Sequence, residues 1–141
     1  MKPYRILVTG SRFWNDTDAI EQSFDALEIP EGASVVLVHG GARGLDTLAD
    51  AAALLRGWYA ESYPVFDEDW IQYGKAAGPR RNRMMVDSDV DLCLGFPLNL
   101  TAWSGTLGCM TMADMAGVPV FVDNGRTRWY ASDEQKARIT I

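Results

Sequence analysis

Four short apolar runs, Ile6-Leu7-Val8, Val35-Val36-Leu37-Val38, Leu92-Cys93-Leu94 and Val118-Pro119-Val120-Phe121-Val122, constrain what this chain can fold into more than any other feature. Each is nearly continuous rather than alternating, which is the pattern of strands covered on both faces and hence of a parallel sheet. Helix-period segments lie between them: Ile20, Phe24 and Leu27 share one face, as do Leu45, Leu48, Ala49, Ala52 and Leu55, with Asp46 and Asp50 directed elsewhere. Trp58 to Tyr63 reads as a further strand ended by Pro64, Gly78 to Asp89 as a helix opened by Pro79, and Ser104 to Ala116 as a helix capped by Ser104. The predicted fold class is α/β: a single Rossmann-like, three-layer domain over residues 1–141, with a mainly parallel five- or six-stranded sheet and right-handed crossovers. Its core spans about residues 4–122, and the tail over 125–141, carrying Trp129-Tyr130, reads as a sixth edge strand, a docking arm or a partly ordered end.

Size and balance agree with one core, since 48% of the 141 residues are apolar and 23% are charged. A net charge of -6 and a pI near 4.6 argue against duplex nucleic acid or an anionic membrane as partner, because both need a basic face. No apolar run approaches the roughly 18 residues of a membrane span, and Met1-Lys2-Pro3-Tyr4 lacks the apolar core of a signal peptide. Cys93 and Cys109 sit in apolar surroundings, with His39 the lone histidine and no metal-ligand spacing. Buried, reduced thiols, a cytoplasmic location and a site without metal or cofactor are the expectations.

Where strand order reverses in such a sheet, loops at the carboxyl ends of the strands meet, and helix N-termini aim unpaired N–H groups there. Two glycine-bearing turns follow apolar runs, Thr9-Gly10-Ser11-Arg12 and His39-Gly40-Gly41-Ala42-Arg43-Gly44, and residues without Cβ let backbone amides approach a phosphate. The same glycines would serve a tight turn with no ligand at all. Asp69 to Met85 places Arg80, Arg81 and Arg83 in an otherwise acidic chain; Arg12, Arg43 and Arg81 are the cations best placed to grip an anion, Arg81 first. Ser11 and Thr106 either donate hydroxyls to the ligand or cap local backbone. Asp46 reads as a structural carboxylate near a helix start or as a holder of a ribose hydroxyl or of Arg43, and His39 as a hydrogen-bonded structural imidazole or a base. Trp14, Trp70 and Tyr73 read as loop aromatics, for base stacking or for the core. There is no G-x-x-x-x-G-K-[ST] sequence and no full dinucleotide fingerprint.

The set Val8 to Arg12, His39 to Asp46, and Asp69-Trp70 through Gly74-Lys75-Ala76-Ala77-Gly78-Pro79-Arg80-Arg81-Asn82 to Met85 resembles the YspA and CpYpsA-related branch of the SLOG superfamily over residues 4 to 122. That superfamily includes the LOG phosphoribohydrolases and the Rossmann part of the DNA-processing protein A. The resemblance implies a nucleotide or nucleotide-derived ligand. Ligand-binding candidates are Gly10, Ser11, Arg12, Ser104, Gly105 and Thr106 at the phosphate, Gly40, Gly41, Arg43 and Asp46 on an adjacent wall, and Arg81 with Asn82. Arg81 and Asp46 are the candidates for a catalytic role. LOG enzymes carry a P-G-G-x-G-T-x-x-E stretch after the fourth strand; Gly105-Thr106 match it here, but Cys109 stands where the glutamate would. The primary reading is therefore binding of a nucleotide-derived small molecule, with N-glycosidic hydrolysis and single-stranded nucleic-acid binding as alternatives. Met110, Met112, Met115 and Ala116 leave the last predicted helix apolar beyond one face, which predicts homo-oligomerisation. Gly40→Val is expected to abolish binding more than folding.

Overall fold

The four apolar runs and the Trp58 to Tyr63 segment become parallel strands: β1 (Tyr4–Gly10), β2 (Val35–His39), β3 (Tyr59–Ser62), β4 (Leu92–Phe96) and β5 (Val120–Asp123). The computed structural model describes residues 2–99, 104–123 and, as backbone alone, 128–131. In that last stretch β6 (Arg128–Ala131) runs antiparallel to β5, so the sheet order is β3-β2-β1-β4-β5-β6. The sequence left the tail open, and part of it is a sixth strand; residues 132–141 lie outside the described residues.

Helices α1 (Thr17–Asp25) and α2 (Leu45–Leu55) cover one face, and α4 (Ala77–Val86) and α5 (Gly105–Met115) the other. Strand side chains alternate between these layers. Ile6 and Val8 pack with Leu37, Leu94 and Phe96 against Ile20, Phe24 and Ala49, whereas Leu7 packs with Val38, Cys93 and Val120 against Met85, Leu107 and Met110. The continuous apolar runs of β1, β2, β4 and β5 are thus explained, since those strands bury both faces, whereas β3 at the sheet edge is largely exposed. A fully buried leucine or isoleucine of this kind contributes about 1.5–3 kcal/mol.

Helix starts follow local chemistry. Asp16 caps α1 by accepting from Ala19 N at 3.0 Å, and Ser104 caps α5 as predicted, accepting from Leu107 N at 3.2 Å. Trp70 and Tyr73 do not lie in loops but on a helix, α3 (Asp67–Tyr73). Its first turn is acidic, which suits the helix dipole, and the Asp69 carboxylate reaches back to Phe66 N at 2.9 Å. A 3₁₀ turn, Gly74–Ala76, joins α3 to α4. The fourth helix starts one residue earlier than predicted and ends at Val86 rather than Asp89, because Asp89 takes a left-handed φ of 65° that a helix cannot continue through. The fifth strand begins at Val120 rather than Val118.

The chain places β2 and then β3 on one side of β1, and crosses back through α3 and α4 to place β4 on the other. Strand order therefore reverses at β1, and a crevice forms at the carboxyl ends of β1 and β4, where Gly10 pairs in register with Phe96.

Candidate functional site

A cavity of about 900 Å³ opens at that crevice. It lies at the upper end of the range of about 300–1,000 Å³ usual for small-molecule sites. Of the residues proposed from sequence, Gly10, Ser11, Arg12, Gly40, Gly41, Asp46, Arg81, Asn82, Ser104, Gly105 and Thr106 all line it. Arg43 does not. Its guanidinium lies 5.9 Å from the centre of the Phe13 ring, on the exposed side of the turn, so it neither joins the lining nor bonds Asp46.

The turn after β1 is held from both sides. Ser11 N donates to Phe96 O of β4 at 3.3 Å, and Ser11 O accepts from Leu45 N at the start of α2 and from Trp14 N, both at 3.1 Å. Gly10 is needed for packing here, since an added Cβ would lie 2.3 Å from Leu45 Cγ. The Ser11 hydroxyl accepts from Phe13 N at 3.0 Å, the local role weighed above, while its own proton is left to donate. Arg12 is exposed at the mouth.

Gly44 welds this turn to the next. It caps α2 with φ 78° and ψ -124°, a region essentially reserved for glycine, and a Cβ would lie 2.3 Å from the Arg12 carbonyl.

The turn after β2 is arranged differently. Gly40 N and Ala42 N both donate to Asp46 Oδ2 at 3.2 Å, and Gly41 N donates to His39 Nδ1 at 3.0 Å. With Nδ1 an acceptor, the His39 proton sits on Nε2 and points to Asp50 Oδ2, 2.6 Å away. His39 is thus the hydrogen-bonded structural imidazole. Three consecutive amides of the Gly40-Gly41-Ala42 turn are engaged inside the protein and do not face a ligand.

Asp46 was assigned to the polar side of α2, yet it is only 7% exposed. Two N–H donors and the neighbouring Arg81 hold it there. Burial raises its pKa above the ordinary 3.8, outweighing those favourable contacts, and Oδ1 has no hydrogen-bond partner among the described residues.

Arg81, from α4, is pinned rather than free. Nη1 donates to Gly40 O at 2.6 Å and to Tyr63 O at 3.2 Å, and Nε donates to Asn82 Oδ1 at 2.8 Å. It ties the ends of β2 and β3 to α4. A side chain on Gly40 would displace the Arg81 guanidinium, because a Cβ would lie 2.4 Å from Arg81 Nη1.

On the opposite wall the first turn of α5 meets the cavity. Amides at a helix start lie outside the intrahelical ladder, and a Cβ on Gly105 would meet nothing within 4 Å. Cys109, one turn further, is buried beneath the cavity in the apolar core and outside its lining, and burial lifts its thiol to about 11. Cys93 is likewise buried. Residues 100–103 of the loop after β4 lie outside the described residues.

Trp70, a stacking candidate in the sequence, lines the cavity half-exposed on α3, while Pro64, Val65, Leu98, Met112 and Met115 are among the lining residues that the sequence reading did not assign to the site. The loop placement of Trp70 is corrected by α3, whose acidic first turn, Asp67-Glu68-Asp69, has no Ser, Thr, Asp or Asn at the cap to announce it. The other two loop aromatics take the core or surface role: Trp14 packs edge-on against Phe96 at 5.5 Å, and Tyr73 lies under Arg80 at 3.8 Å. Of the apolar surplus on α5, Met110 is buried, Met112 half-buried and Met115 exposed. Among the described residues no helix is long and apolar enough to cross a membrane, and no cluster of three or more His, Cys, Asp or Glu could hold a metal ion.

Comparison with known proteins bears on the family and the fold. The sequence model of the YspA, cpYpsA-related SLOG family matches residues 4–73, from β1 through α3. The Gene 61 protein of Mycobacterium phage D29 is 43% identical over 125 residues, covering 82% of this chain and 93% of that protein. The X-ray structure of DNA processing protein A (DprA) from Streptococcus pneumoniae shares the fold with a TM-score of 0.64 at 24% identity, over 85% of this chain. The match spans 50% of that longer chain. The family-model match over β1 to α3, with the 43% identical phage relative, places this chain in the YspA, cpYpsA-related SLOG family.

Proposed function

We propose that the cavity binds a phosphate-bearing, nucleotide-derived small molecule. One observation carries this reading: the open start of α5 faces the β1 turn across a single cavity at the strand reversal. Phosphate would sit among the Gly105 and Thr106 amides, the Ser11 hydroxyl and the Arg12 guanidinium, with Gly10 and Ser104 shaping the turns that present them. Arg81 and Asn82 form the floor, positioned by the bonds described above, and Trp70 offers an aromatic face at the rim. Gly40 and Gly41 shape the adjacent wall through packing, not through their amides.

Binding is favoured over N-glycosidic hydrolysis because α5 contributes no carboxylate among the described lining residues, and Cys109 is a buried, neutral thiol. Titration calorimetry with nucleoside monophosphates, cyclic nucleotides and ADP-ribose tests the reading. At least one should bind, and Arg12→Ala should weaken it by about 1.5–3 kcal/mol, the scale of a hydrogen bond to a charged group. If none binds, the reading fails. Chromatography of the same mixtures checks the alternative: release of free base at about 1 s⁻¹ or faster would replace binding by hydrolysis.

A further inference from the structure

A second cavity, of about 570 Å³, lies away from the site proposed above, between the flank of α1 and the face of β4 and β5. Leu92, Leu94 and Phe96, all on one face of β4, line it together with Leu27. At the carboxyl edge of the sheet the Ser23 hydroxyl donates to Asp123 Oδ2 at 2.7 Å and bridges α1 to β5. The opposite end, at the amino ends of the strands, is lined by Tyr4, Glu28, Asp91 and Pro119. Glu28 is exposed there, and Asp91 commits one oxygen to Arg5 N at 2.9 Å. The groove is thus apolar within and acidic at one end.

The topology decides which part of the chain comes next to it. In a doubly wound sheet helices cover both faces, but here β5 is followed by antiparallel β6, and among the described residues no helix follows β5. Ala131, at the end of β6, pairs with Val120, the neighbour of Pro119, so the chain leaves β6 at the acidic end of the groove. Residues 132–141 follow, Ser132-Asp133-Glu134-Gln135-Lys136-Ala137-Arg138-Ile139-Thr140-Ile141. Past two acids they carry two cations and then two isoleucines, the order that an acidic entrance and an apolar interior require. Their reach suffices. From β6 to β1 is three strand spacings, about 14 Å, and the seven residues from Leu-lined entrance to Arg138 that follow Ala131 extend to about 23 Å.

We propose that residues 132–141 dock in this groove within their own chain, Lys136 and Arg138 meeting Glu28 and Asp91, and Ile139 and Ile141 entering between α1 and β4. The segment supplies the cover that no described helix provides on this part of the sheet.

Cross-linking of the full chain tests the placement. Glu28→Cys combined with Arg138→Cys, oxidised with copper phenanthroline in dilute solution, should close a disulfide within one chain, which requires the two Cα atoms to come within about 7 Å. Intact mass reads it as the loss of two hydrogens from the monomer. The native Cys93 and Cys109 are buried and do not compete. Asp87→Cys with Arg138→Cys is the control, because Asp87 is exposed at the end of α4, on the opposite face of the sheet, and should cross-link little. Equal cross-linking of both pairs shows a segment without a fixed place and overturns the proposal. A cross-link found only between two chains puts the segment on a neighbouring copy and overturns docking within one chain. No cross-link in the Glu28 pair overturns the position given to Arg138. Ile139→Asp supplies an independent arm, since a charge in the apolar groove should lower the melting midpoint by about 3 °C or more. An unchanged midpoint overturns the burial of Ile139.

Discussion

Two glycine-bearing turns stand side by side at the carboxyl edge of this sheet, and they handle their amides in opposite ways. In the turn after β2, Gly40, Gly41 and Ala42 direct their N–H groups inward to Asp46 and His39. Across the crevice, the turn after β1 and the start of α5 leave side-chain donors and a helix terminus facing the cavity. Glycine content alone therefore does not mark an anion site. A turn that carries its own carboxylate has already filled the place a phosphate would take, and its glycines are required for close packing instead.

The sharpest way to break this contrast is at Gly44, where the two turns touch. Gly44→Ala forces a side chain into a glycine-only backbone region and against the Arg12 carbonyl 2.3 Å away. It should cost about 3 kcal/mol or more, from backbone strain and overpacking combined. Urea denaturation measures it, and an unchanged midpoint would show that the turns are not coupled there.

Gly40→Val comes next. The structure revises the expectation that binding suffers more than folding, because the new side chain would displace the Arg81 guanidinium from Gly40 O and Tyr63 O. A loss of about 2 kcal/mol of stability is expected, with affinity falling in parallel. A variant that folds normally but cannot bind would restore the amide-to-ligand reading of this turn.

Gly105→Val tests the open side. A Cβ there meets nothing within 4 Å, so stability should change by less than about 0.5 kcal/mol while nucleotide binding is blocked. Paired melting and calorimetric measurements would refute the contrast if they showed the reverse order.

The smallest effect is electrostatic and compares Asp46 with a carboxylate outside both turns. Glu61 accepts both Arg5 Nη1 and Nη2 and the Tyr63 hydroxyl, which lowers its pKa from 4.5 to about 2. Its stabilisation is present above pH 4.5 and lost as pH falls toward 2. Asp46 has the opposite sign: its pKa is raised from 3.8, so its contribution favours the fold below that pH and is lost as pH rises through the folded value. Denaturation at several pH values should show Glu61→Gln removing part of the acid-side loss, and Asp46→Asn gaining on the unsubstituted protein as pH rises from 4. Because the Glu61 side chain is 39% exposed, its share at neutral pH should be below about 1 kcal/mol.

Most of the fold was legible before any coordinates, because strands buried on both faces must be apolar at every position and helices must repeat near 3.6. Four of the five parallel strands and the main helices follow from those two rules; the exposed edge strand β3 follows from the turn signal at Pro64, and the Ser104 cap from the preference of a hydroxyl for the orphan amides of a helix start. The α3 helix was not legible, since its start is capped through the Phe66 backbone and a carboxylate three residues on rather than by a side chain at the cap itself. Eleven of the twelve proposed site residues line the cavity because motifs after successive parallel strands converge wherever strand order reverses. Arg43 was indistinguishable from Arg12 in the sequence, as each stands two positions after a glycine.

The sequence by itself determined the layers, the strand direction and the edge of the sheet at which chemistry could gather, all of which depend on periodicity and chain order. Tertiary structure alone decided which donors face the cavity. That choice depends on Asp46 folding back six residues onto Gly40 N, and on Arg81 reaching across forty-one residues to the carbonyl of the same residue. Such contacts join atoms by distance in space, and nothing in the local composition of either segment records them.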